Sequence, residues 1–155
     1  MEDLPRDEPI VVFARFTDEI DRILKAFKTA GRTFGEVTGR RKDLDSWYDG
    51  KINSLAVQIQ AGGVGIDLTR ARYAVYWSTG FSLGDYEQSL ARVHRPGQTR
   101  SVNYIHLIAK GTIDEKIYGA LKSRANLVES VLANLGKKLT DSEISEIFDE
   151  QELPF

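Results

Sequence analysis

A continuous apolar run, Ile10-Val11-Val12-Phe13-Ala14, is followed after Arg15-Phe16 by a segment whose apolar residues Ile20, Ile23, Leu24 and Phe27 recur at helical spacing. An unbroken β-branched run of this length must be covered on both faces, so it reads as a central strand. The helix that follows is expected to open on Thr17 as N-cap, to carry Asp18 and Glu19 in its first turn, and to stop at Gly31. The unit then repeats. Residues 33–37, 55–59, 73–77 and 102–108 are strand-like, 43–48 suit a short helix, and 84–93 a longer one. Strands alternating with helices imply right-handed crossovers and a mainly parallel sheet, which makes this an α/β chain.

The last third is helical. Thr112-Ile113-Asp114-Glu115 reads as a capping box, and Ile113, Ile117, Leu121, Val128, Val131 and Leu135 follow on one face until Gly136. A second box, Thr140-Asp141-Ser142-Glu143, opens a short acidic helix with Ile144, Ile147 and Phe148. The stretch 141–152 has six acidic residues and no basic ones, the pattern of a solvated helix face. With 155 residues, no repeat and no linker, the chain reads as one domain over 1–155: an α/β core at 9–111 and a helical extension at 112–152.

Composition narrows the chemistry. A net charge of −2 shows no global basicity, so any nucleic-acid contact must be a local patch. Without cysteine there are no disulfides or thiolate metal sites, and with only His94 and His106 no metal site is assigned. No apolar run approaches the ~20 residues of a membrane span, and 1–8 is too acidic and polar for a signal peptide. The expected location is cytoplasmic, without membrane contact.

Two stretches carry the functional signal. Gln60-Ala61-Gly62-Gly63-Val64-Gly65-Ile66-Asp67 is a glycine turn directly after a strand, where backbone N–H groups can face phosphate oxygens. Asp67 suits either a ribose hydroxyl or a cap on the next turn. Further on, Gln88-Ser89-Leu90-Ala91-Arg92-Val93-His94-Arg95-Pro96-Gly97-Gln98 puts Arg92 and Arg95 three apart at a helix end that Pro96 stops. Buried guanidinium groups need an anion, and both stretches lie beyond carboxyl ends of strands, where parallel sheets bind ligands.

In order, the segment 9–16, the turn 60–67 and the stretch 88–98 closely resemble the C-terminal RecA-like motor domain of superfamily 2 helicases and translocases, especially the Swi/Snf-type group and related bacterial or phage helicases. Ala61-Gly62-Gly63-Val64-Gly65 matches motif V, and 88–98 matches motif VI. The likeness continues through Thr99, Val102 and 107–117, and so covers nearly the whole chain. It implies a RecA-like three-layer fold and an ATP-dependent motor. By it, Arg92 and Arg95 are the catalytic arginines that reach a triphosphate on another domain. Gly65, Asp67 and Gln88 serve the nucleotide. Arg15, in the motif IV position, and Gly62, Gly63 and Thr69 face the nucleic-acid strand. Arg40 and Arg41 in another loop, with Arg70 and Arg72 beside the turn, complete the candidate basic patch.

No Gly-x-x-x-x-Gly-Lys-Ser/Thr occurs. The resemblance therefore assigns ATP and Mg²⁺ mainly to an N-terminal RecA-like domain, which is the expected partner, together with DNA ahead of RNA. Asp18-Glu19-Ile20-Asp21 imitates a metal-binding acidic box but reads as a helix start. His94 is either a motif contact or structural, and Trp77 reads as core. Gln58 and Ile59 stand where many relatives carry Ser or Thr, so no hydroxyl-to-phosphate contact is assigned there. Asp67 stands where Swi/Snf-type proteins commonly carry Asn, and Phe81-Ser82-Leu83 where they carry Trp-Asn-Pro, which favours the bacterial or phage branch. Two other classes stay open: a stand-alone nucleic-acid-binding or regulatory module, and a self-sufficient nucleotide-binding protein.

Overall fold

The computed structural model describes residues 4–61, 65–96 and 100–134, with side chains to 126. Five strands form one sheet, β1 (Ile10–Ala14), β2 (Phe34–Val37), β3 (Ser54–Gln58), β4 (Tyr73–Tyr76) and β5 (Asn103–His106), in the order β2-β3-β1-β4-β5. Every pairing is parallel, with Ile10 of β1 opposite Ser54 on one side and Tyr73 on the other. The helices are α1 (Thr17–Thr29), α2 (Leu44–Tyr48), α3 (Leu83–Val93) and α4 (Ile113–Asn134).

All five residues of β1 are buried, as its composition demands. Successive side chains point to opposite faces. Ile10, Val12 and Ala14 meet Ile20, Ile23 and Phe27 of α1, whereas Val11 and Phe13 join Trp47 of α2 and Val93 of α3 on the other face. Each Val, Ile or Phe among them contributes about 1.5–3 kcal/mol when fully covered. Helices thus cover both faces of the sheet, and β1 lies at the centre of both cores.

Helix α1 ends as expected. Gly31 takes φ +66°, and the amides of Gly31 and Arg32 donate to the carbonyls of Lys28 and Phe27, the pairing that closes a helix through a left-handed residue. Its start differs. The N-cap is Phe16, not Thr17, because the Glu19 carboxylate reaches back to the Phe16 amide at 3.0 Å and the Arg15 amide at 3.3 Å, so Thr17 is already in the first turn. At α4 the Thr112 hydroxyl accepts from the Asp114 amide, but Asp114 rather than Glu115 reaches back, to the Ala109 amide. Ile117 and Leu121 are buried, while Ile113 is exposed. Gly62, Gly63, Gly97, Gln98, Thr99, Leu135, Gly136, the side chains of Val128 and Val131, and the acidic stretch 141–152 lie outside the described residues.

Arg32, 5% exposed, fixes the approach to β1. It donates to the carbonyls of Pro5 and Glu8 and to the Ser54 hydroxyl.

Candidate functional site

The turn after β3 is pinned from several sides. Ile66 and Leu68 are buried beneath it, and the Leu68 amide donates to the Arg92 carbonyl at 2.9 Å. The Asp67 amide donates to the Tyr48 hydroxyl of α2 at 3.2 Å. Gly65 has φ +106°, a conformation L-residues rarely adopt, so the turn needs glycine there. Asp67 Oδ1 accepts from the amide and hydroxyl of Thr69 at 2.9 and 2.6 Å, and its other oxygen stands 3.7 Å from Arg95 Nη1. The Thr69 hydroxyl above all, helped by the Thr69 amide and the Arg95 charge, holds the Asp67 carboxyl below its usual range against the opposing effect of burial. The cap role of Asp67 is therefore realised.

The two arginines differ. Arg92 is 4% exposed; its Nη2 donates to Gln88 Oε1 one turn earlier at 2.7 Å, while its Nη1 is buried with no hydrogen-bond partner. Burial lowers its pKa from the ordinary guanidinium value. Arg95 follows the helix end, with its side chain 46% exposed and Nη2 3.3 Å from the Ile66 carbonyl. Helix α3 is capped by Ser82, whose hydroxyl accepts from the Asp85 amide, and ends at Val93, with His94 already in extended backbone. The helix end thus offers one internal N–H group without an acceptor and one accessible guanidinium. His94 is exposed, its amide closing α3 onto the Leu90 carbonyl.

Arg15 leaves the end of β1. Its guanidinium lies over the Phe16 ring at 5.1 Å and against Gly80, where an added Cβ would stand 3.6 Å from Nη1. Gln58, at the position of the expected hydroxyl, instead donates its amide to the Arg15 carbonyl at 3.2 Å. Arg15 borders a cleft of about 200 Å³ between the ends of β1, β3 and β4.

Arg40 and Arg41 lie in the loop after β2. Arg40 pairs with Asp21 and with Glu36, and Arg41 pairs with Asp43 at 2.7 Å. Arg70 donates to the carbonyls of Trp47 and Ile52 and to Asn53 Oδ1 and lies over the Trp47 ring, so its guanidinium is a structural brace. Sequence reasoning grouped it with the basic patch because composition does not reveal such carbonyl acceptors. It also missed the knot at Glu19, whose Oε2 accepts from the Ser78 hydroxyl at 2.5 Å besides the amides of Arg15 and Phe16. The only signal was a glutamate at the third helical position. Trp77 is half-buried against the core on the α1 face. Among the described residues, no three His, Asp or Glu side chains are placed to hold a metal ion. Nor is any described helix long and apolar enough to cross a membrane.

A parallel sheet of this order, with a glycine turn and a twin-arginine helix end meeting at its carboxyl edge, defines a RecA-like motor domain of superfamily 2 type. The chain belongs to the helicase conserved C-terminal domain family, whose model matches residues 2–97. An uncharacterized ATP-dependent helicase of Mycoplasma pneumoniae is 30% identical over 96% of this chain and 15% of its own length. The ATP-dependent helicase FUN30 of Saccharomyces cerevisiae is 29% identical over 96% of this chain and 14% of its own length. The crystal structure of the C-terminal part of the Fun30 ATPase domain aligns with TM-score 0.67 at 30% identity, covering 75% of this chain and 39% of that one. The relatives place the chain with the Swi/Snf-type ATP-dependent helicases, and the chain spans about 15% of the length of those curated proteins. The preference for a bacterial or phage branch is not supported, because a yeast protein matches about as well as a mycoplasmal one.

Proposed function

We propose that this chain is the C-terminal motor domain of an ATP-dependent DNA helicase or translocase, working on ATP and Mg²⁺ held mainly by an N-terminal RecA-like domain of a longer protein. The observation that carries the reading is the pair at the end of α3: Arg92 with a buried N–H group lacking an acceptor, and Arg95 accessible beside it. Fixed guanidinium groups stabilise charge that develops on a transferring phosphoryl group, an effect of about 10³ to 10⁵ in rate for arginine fingers generally. Gln88 aims Arg92, and Asp67 holds Arg95 near the turn until phosphate replaces it or the carboxylate takes a ribose hydroxyl. Mg²⁺, when bound, neutralises phosphate charge and falls to carboxylates of the other domain. Gly62, Gly63, Thr69 and Arg15 track the strand backbone, with Arg40 and Arg41 as an outlying contact.

The test is steady-state phosphate release with saturating DNA, in the longer protein. Arg95→Ala should lower turnover by orders of magnitude with a smaller effect on ATP affinity, because a finger acts mainly in the transition state. Arg95→Lys should rescue poorly, since an ammonium lacks the planar fork. Near-wild-type turnover in both Arg92→Ala and Arg95→Ala would remove the assignment. Robust hydrolysis by residues 1–155 alone would overturn the half-motor reading.

A further inference from the structure

A buried hydroxyl pair lies beneath α3, one helical turn before Arg92. Tyr76, 1% exposed, ends β4 with its ring stacked between two others: Phe13 of β1, with centroids 5.0 Å apart, and His106 of β5, 4.6 Å away and within 5° of parallel. A ring packed on both faces is held in one orientation. Its hydroxyl meets Ser89 Oγ of α3 at 2.7 Å, and Ser89 is fully buried. Ser89 gives its own proton to the Tyr86 carbonyl at 2.6 Å, so Tyr76 is the donor of the pair. Burial above all holds the Tyr76 phenol well above its ordinary pKa, which keeps that proton in place.

Ser89 and Arg92 lie three residues apart on the inward face of α3. Helical side chains lean toward the N-terminus, so the stem of Arg92 lies over the turn that carries Ser89. Gln88 holds the Arg92 guanidinium at Nη2, but it rides on the same helix and cannot fix the helix itself. Tyr76 can, because it belongs to the sheet. A second tie, between the Tyr86 hydroxyl and His106 Nε2 at 3.0 Å, joins the preceding turn of α3 to β5. We infer that Tyr76 is a positioning residue for Arg92: its hydroxyl, donated to Ser89, sets the rotation of α3 about its axis and so the direction in which Arg92 presents Nη1, the N–H group left without an acceptor. The inference rests on the reading that Arg92 serves the transferring phosphoryl group. Misplacing such a group by about 1 Å costs about 10²-fold in rate, so a lost tie should be read in turnover more than in ATP affinity.

The test uses the longer protein, by steady-state phosphate release with saturating DNA and by single-turnover release where turnover is slow, comparing variants that circular dichroism shows to be folded. Tyr76→Phe keeps the stacked ring and removes only the hydroxyl. It should lower kcat by about 10- to 100-fold and leave KM for ATP within about twofold. Ser89→Ala removes the acceptor and should do the same, and the double variant should be no slower than either single one, because both remove one shared bond. In an Arg92→Ala background Tyr76→Phe should have no further effect, whereas a hydroxyl that merely supports the core would slow both backgrounds equally. Wild-type kcat in Tyr76→Phe, or an equal loss with and without Arg92, overturns the inference. Slow turnover in Arg92→Ala beside unimpaired Tyr76→Phe removes the positioning role and leaves the arginine reading intact. Near-wild-type turnover in Arg92→Ala removes the positioning role as well, and leaves Arg95 alone as the finger.

Discussion

Asp67 Oδ2 lies 3.7 Å from Arg95 Nη1, which joins the turn after β3 to the end of α3 through a pair that is about half exposed on both sides. Opposite charges held this loosely can separate when a stronger anion approaches, since exposed pairs contribute only about 0–1 kcal/mol.

The same carboxylate predicts a pH dependence. Its folded pKa is lowered, chiefly by the Thr69 hydroxyl, so its contribution to stability is present above the unfolded value of about 3.9 and is lost as pH falls through the lower folded value. Asp67→Asn should therefore destabilise the domain slightly at neutral pH, by under about 1 kcal/mol after screening. The gap to wild type should close on acidification below about pH 4. Urea midpoints across that range check both the size and the direction.

Arg70→Ala should cost about 1–3 kcal/mol, because the carbonyls of Trp47 and Ile52 lose their shared donor and the Trp47 ring loses its cationic cover. Arg70→Lys should recover only part, as one ammonium cannot reproduce the fork that reaches both carbonyls and Asn53. Oligonucleotide affinity, measured where the variant is still folded, should stay at the wild-type value.

In the β2 loop, Arg40→Ala should lower the urea midpoint because Glu36, 5% exposed, loses the guanidinium that joins Thr38 in satisfying its carboxylate. Arg41→Ala removes a largely exposed guanidinium from Asp43, whose other oxygen keeps the Glu36 amide as donor, and should lower the midpoint less than Arg40→Ala. Arg41→Ala is thus the cleaner test of nucleic-acid contact by this loop, and a drop in affinity without a drop in midpoint would establish that contact.

Leu121, 2% exposed, fastens α4 to the domain. Leu121→Ala should destabilise by about 2–5 kcal/mol, the range for emptying a buried leucine site. A single urea transition with a shifted midpoint would show that α4 unfolds with the sheet, and two transitions would show that it unfolds separately.

Strand positions were legible because β-branched runs such as Ile10-Val11-Val12 leave little choice, and the stop of α1 was legible because Gly31 takes the left-handed conformation that a helix end favours. The start of α1 was not. Thr17 has the right chemistry for a cap, but Glu19 drew the backbone of Arg15 and Phe16 onto itself and moved the cap back by one residue. Placement of the glycine turn beside the end of α3 followed from the topology of a parallel sheet, whereas the burial of Arg92 did not. Nothing in the stretch 88–98 distinguishes its two arginines. Only the packing of α3, which turns Ser89, Arg92 and Val93 inward, makes one internal and leaves the other accessible.

The central position of β1 also sets when the domain can form. Ile10 pairs with Ser54 and Tyr73, so neither neighbour of the first strand exists until much later parts of the chain are made. At about 5–20 residues per second of synthesis, β1 waits on the order of several seconds with an apolar edge unpaired. Closing such long-range parallel contacts is also slow in itself. A nascent chain halted before Tyr73 therefore holds a hydrophobic strand without its second partner. Ribosome-bound chains of that length are where binding by a chaperone, or association with other chains, would be greatest.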